Sequence, residues 1–138
     1  MQLTIQDKSN YFRGLLVLIG QDRILHEEEK NKLLMLGKLL SFEENFVRDS
    51  IDNLLENQYI NFEPPKFSSK NIAERFIKDA VNIALIDNDL HLNELKWLKN
   101  AVLKNEIEQI FFDDLLQKSK DFERIHLFEI SELVAEKF

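Results

Sequence analysis

Asp22-Arg23-Ile24-Leu25-His26-Glu27-Glu28-Glu29 and Asp87-Asn88-Asp89-Leu90-His91-Leu92-Asn93-Glu94 carry Asp, Leu, His and Glu at the same four positions, 65 residues apart from Asp22 to Asp87. Each stretch follows an apolar segment and precedes another. Four identities in eight positions, in the same setting twice, predict one duplicated helix-turn-helix unit. Leu33 and Leu98 keep the 65-residue spacing, as do Phe46 and Phe111.

Outward from these turns the hydrophobic period is helical. Phe46, Val47 and Ile51 recur at the three- and four-residue steps that line one face of a helix, and Phe111, Phe112, Leu115 and Leu116 do the same. The spacing predicts helices over about 9–21, 27–40, 42–57, 69–87, 92–104, 106–118 and 121–137. Ser41 with Glu44 reads as a capping box opening the third helix, and Asn105 with Glu108 as its counterpart one residue out of register. Between the halves, Pro64-Pro65 forbids helix continuation, and Ser68 and Ser69 offer caps for the helix that follows. The expected architecture is all-α, a compact bundle of about seven helices in one domain over 1–138. It comprises a first pseudo-repeat at about 9–57, a linker at about 58–68, a second pseudo-repeat at about 69–122 and a C-terminal helix at about 121–137.

Composition agrees with that architecture and narrows function. The 138 residues are 44% hydrophobic with 11 Phe, enough for one packed core, while three Gly and two Pro leave little material for the turns of a β-sandwich. The net charge is −7, and acidic groups outnumber basic ones in both halves. Nucleic-acid binding needs a clustered cationic surface, so no nucleic-acid partner is expected. The same charge opposes anionic lipid surfaces, and no apolar run is long enough to span a bilayer, so direct membrane insertion is not expected either. Zero Cys removes disulfides, thiolate metal sites and a Cys nucleophile, and Met1 to Asp7 lacks the pattern of a secretory leader. A cytoplasmic location follows as the expectation.

The repeated motif has a physical job. The Asp carboxylate accepts backbone N–H groups of the turn, the Leu points inward, and His26 or His91 stands just before the next helix. Glu29 or Glu94, three residues further on, reaches back as in a capping box, and Glu27, Glu28 and Glu29 complement the positive end of the helix dipole.

This pattern resembles the tellurite-resistance TerB-like family, whose domains carry paired Asp-Gly-x-Ile/Leu-x-x-x-Glu turns between apolar helices. Asp22, Leu25 and Glu29 match the first turn, and Asp87, Leu90 and Glu94 the second; Arg23 and Asn88 stand where the family has glycine. The resemblance implies a compact helical module of bacterial stress responses, associated with membrane-linked complexes or proposed to bind divalent cations through its acidic loops. No catalytic residue comes with it.

Two chemistries compete at the turns. Asp22, Glu29, Asp87, Asp89 and Glu94 form a hard-oxygen set suited to Ca²⁺ or Mg²⁺, but capping explains the helix-start residues without a ligand. Asp87-Asn88-Asp89 lacks the spacing and the glycine of an EF-hand loop, and neither His26 nor His91 has a second His one turn away for zinc. His126, between Ile125 and Leu127, reads as a packed or surface histidine. Tyr11, Phe12, Trp97 and Leu98 suggest a partner groove on one reading and core on the other. The preferred expectation is a noncatalytic protein-interaction module with a protein partner. Its rival is a small hydrolase-like enzyme, marked by a cleft joining Asp22, Glu29, Asp87 and Glu94.

Overall fold

A computed structural model of the chain describes residues 3–20, 27–56, 62–84 and 92–119, and within them the backbone forms helices and no strand. The helices are α1 (Ile5–Ile19), α2 (Glu27–Leu39), α3 (Glu44–Glu56), α4 (Lys70–Ala84), α5 (Leu92–Lys104) and α6 (Gln109–Ser119). The seventh helix expected at 121–137 lies outside the described residues, as do Asp22, His26, Asp87, Asp89, His91 and His126.

The two halves share one register. α4, α5 and α6 each begin 65 residues after α1, α2 and α3 respectively, at 5 and 70, 27 and 92, and 44 and 109. Their caps agree atom for atom. Thr4 Oγ1 accepts from Asp7 N at 3.0 Å and Ser69 Oγ accepts from Ile72 N at 3.2 Å, each satisfying a first-turn donor that the helix itself leaves orphaned. Thr4 thus starts α1 at Ile5, four residues before the expected position, because a hydroxyl cap is available there.

At the far end of α2 the chain closes a Schellman turn. Ser41 N–H donates to Lys38 O at 3.0 Å and Phe42 N–H to Gly37 O at 2.8 Å, with Ser41 at φ 67°. Glu106 repeats this after α5, at φ 56°, with Glu106 N–H on Leu103 O at 3.1 Å and Ile107 N–H on Val102 O at 3.0 Å. These contacts correct the expected capping boxes. Ser41 ends α2 rather than opening α3, and its counterpart is Glu106, in register, rather than Asn105. A connection this short must reverse direction within a few residues, so the left-handed residue takes the place where an N-cap was expected. α3 and α6 consequently begin at Glu44 and Gln109.

α1 and α4 lie at the centre and pack on each other; α2 and α3 flank α1, while α5 and α6 flank α4. Both central helices are buried around most of their circumference, which is why residues 14–20 and 76–84 carry so few charges. Their contact is isologous, the pattern expected about a twofold axis. Tyr11 meets Asp79, and the register equivalents of that pair, Phe76 and Gly14, meet each other: a Cβ on Gly14 would sit 2.7 Å from Phe76 Cζ. The Tyr11 and Phe76 rings pack edge to face between them, centroids 5.3 Å apart.

The Pro-Pro segment is tied to α5 and the residue that follows it. Trp97 Nε1 donates to Phe62 O at 2.5 Å, and Asn105 Nδ2 donates to Pro65 O while its Oδ1 accepts from Phe67 N, both at 2.9 Å. Extended backbone between helices has no ladder to satisfy it, so these side chains supply the partners.

Candidate functional site

Glu29 and Glu94 are each the third residue of their helices, and each is almost fully buried, at 8% and 6% exposure. A carboxylate in the first turn of a helix complements the positive end of its dipole. α2, which carries Glu29, packs chiefly on α1 and α3, and α5, which carries Glu94, on α4 and α1. Among the described residues no three carboxylate or imidazole side chains converge as a metal ion requires. The described part of the turns is therefore no cation cage by itself.

Among the described residues the other buried polar or charged side chains are Asp7, Asp79 and Asn105, none of which the sequence alone marks as a long-range tie. Asp7 Oδ1 accepts from Ser68 N at 2.9 Å, and its Oδ2 accepts from Ser68 Oγ at 2.5 Å and from Thr4 Oγ1 at 2.9 Å. Burial pushes this carboxyl up, but the hydrogen bonds from Ser68 and Thr4 together outweigh it and leave it below the ordinary aspartate value. The ionised group fastens the start of α1 to the approach of α4. A Thr-x-x-Asp pattern at Thr4 to Asp7 was the available signal for the cap, though not for the long-range bond. Tyr11 OH donates to Asp79 Oδ2 at 2.5 Å inside the core. All three groups act as fasteners between segments distant in sequence.

A cleft lies where α4 begins, lined by Lys66, Phe67, Ser68, Ser69, Lys70, Asn105 and Glu106. Four of its polar side chains are engaged: Ser68 on Asp7, Asn105 on the linker, Ser69 on α4, and Lys70 Nζ 3.6 Å from Glu108 Oε1. It is a structural seam.

Tyr11, Phe12, Trp97 and Leu98 are all buried, which overturns the groove reading for them. Their size and position on inward faces assign them to packing. The aromatic surface lies elsewhere. Phe12 forms the floor of a cluster, Phe42 lies half-buried above it at 5.8 Å between centroids, and Phe46 stands at the rim, 5.5 Å from Phe42 and 52% exposed. Phe42 belongs to the turn before α3 and Phe46 to its first turn, so their proximity follows from the geometry of the connection.

No helix among the described residues is long and apolar enough to cross a membrane. Compared with known family models, curated proteins and solved structures, the chain matches none.

Proposed function

We propose that the chain is a noncatalytic, TerB-like protein-interaction module acting in a bacterial stress response. The observation that supports this reading is the Phe42–Phe46 pair, with half of the Phe46 side chain in solvent. An aromatic ring left in water forgoes burial worth about 1.5–3 kcal/mol, and rings of this kind anchor protein partners. The buried polar side chains Asp7, Asp79 and Asn105 hold the fold together, which suits a scaffold that presents a surface.

Weak Ca²⁺ or Mg²⁺ binding at Asp22, Glu29, Asp87, Asp89 and Glu94 is an attached part of this proposal. Asn88 permits a sharper bend than Arg23 and Asp89 adds a carboxylate, so the second turn is the better binder. Calorimetric titration of Ca²⁺ into wild type, Asp22→Asn and Asp87→Asn tests this; submicromolar affinity, or loss confined to Asp22→Asn, contradicts it.

The module reading is tested by fractionating an extract of the native host by size. The chain is expected to migrate well above its monomer position, with one protein co-eluting at constant ratio. Migration as a monomer in every fraction, at endogenous concentration, would overturn the proposal.

A further inference from the structure

Phe12, Phe42 and Phe46 correspond in the 65-residue register to Ile77, Ile107 and Phe111. The second half resolves the same position differently. Ile77 and Ile107 are buried, Phe111 is half-buried, and Lys78 Nζ lies 6.0 Å from the Phe111 ring centroid, over its face. A cation there is attracted by the negative face of the ring.

The register equivalent of Lys78 is Arg13, at the matching position of α1. Its guanidinium points elsewhere: Arg13 Nη1 donates to Glu63 O at 3.4 Å, on the linker. Phe46 thus keeps the exposed face that its counterpart covers with an ammonium group. Glu43 and Asp49, three residues to either side of Phe46 and so its neighbours on the helix surface, are both exposed. Neither forms an ion pair among the described residues, whereas Glu44 is paired with Arg48 at 3.1 Å.

We infer that this edge is a docking site for a basic segment of a partner protein, which places a Lys or Arg side chain on the Phe46 ring. Phe42 backs the aliphatic stem of that side chain, and Glu43 and Asp49 receive its neighbouring charges. The inference rests on the interaction-module reading and names its surface and the chemistry of its partner. The chain's own excess of negative charge steers such a segment toward it.

The probe is a synthetic amphipathic peptide alternating Leu and Lys, titrated into the isotope-labelled full chain and followed by amide NMR shifts. A second peptide has every Lys replaced by Glu. The Lys peptide is expected to give saturable shifts centred on residues 42–50, falling as salt rises, and the Glu peptide none. Phe46→Ala and Phe46→Leu are each expected to lower affinity about tenfold, Leu as much as Ala because it restores apolar area without a π face. Asp49→Asn is expected to lower it about threefold. Phe46 stands at the rim, so its variants leave the spectrum of the remaining core in place.

Shifts centred away from α3, equal binding of both peptides, or full affinity in Phe46→Leu overturns the inference. Concentration-dependent shifts of the same residues without peptide do so too, since they assign the edge to a second copy of the chain. Failure here is separable from failure of the module reading. If Phe46→Ala retains the high-mass complex of the native extract, a module binds through another surface; if wild type is itself a monomer there, the module reading fails first.

Discussion

Tyr11→Phe removes one oxygen from the centre of the molecule and leaves the ring that packs on Phe76 in place. The lost hydrogen bond joins a fully buried hydroxyl to a buried carboxylate at 2.5 Å. Hydrogen bonds to charged groups contribute about 1.5–3 kcal/mol, roughly twice the neutral value. The variant removes one donor and leaves the carboxylate itself in place, so the loss stays in that range. For a chain of this length it corresponds to a fall in Tm of about 5–12 °C. Urea unfolding of wild type, Tyr11→Phe, Asp79→Ala and the double variant measures the coupling directly. Once Asp79 is alanine the hydroxyl has lost its acceptor, and Tyr11→Phe should then cost less than about 0.5 kcal/mol. An equal cost in both backgrounds would refute the reasoning, since the hydroxyl would then act through something other than Asp79.

Ser41→Gly and Glu106→Gly should each raise stability by about 0.5–1 kcal/mol, because relief of the left-handed strain exceeds the added freedom of the unfolded chain. A lower urea midpoint for either variant contradicts the turn assignment. Gly37→Ala should cost about 1–3 kcal/mol, since its Cβ would fall 2.4 Å from Val47 Cγ2. The cost should shrink in a Val47→Ala background, and an undiminished cost there counts against the clash. The carboxyl of Asp7 titrates lower in the folded chain than in the unfolded one, so its contribution is complete above the unfolded value and disappears as pH falls through the folded one. The stability gap between wild type and Asp7→Asn should therefore narrow below about pH 4, near the unfolded aspartate value; a gap constant from pH 7 to pH 3 would show that the charge is not what matters.

Some of the candidate surface was legible in advance and some was not. Phe42 and Phe46 are close in sequence, but 11 Phe cannot all be exposed, and nothing local distinguishes Phe46 from Phe12 or Phe76. Nor does local pattern show that Lys78 reaches over Phe111 while its equivalent Arg13 reaches Glu63 O instead. The capping boxes were misread for a related reason. Ser-x-x-Glu at Ser41 has the composition of a helix start, and the same residues also suit the end of the preceding helix when the connection is short. Asn105 looked like a cap because Asn favours such places. Its side chain instead serves Pro65 and Phe67, residues that local pattern cannot bring near it.

Helical class and the 65-residue offset between the two turns were properties of the sequence by itself, because they rest on the period of apolar residues and on the repeated motif, whereas the constancy of that offset over all three helix pairs emerged only in the structure. Tertiary structure alone decided the pairing of α1 with α4, the burial of Tyr11 and Trp97, the use of Asp7 and Asp79 as ties between α1 and the segment around α4, and the use of Asn105 to hold the linker. It also decided which aromatic ring reaches water. The physical reason is range: a helix is set by partners three and four residues away, whereas a buried carboxylate or an exposed ring is set by whatever the rest of the chain packs beside it.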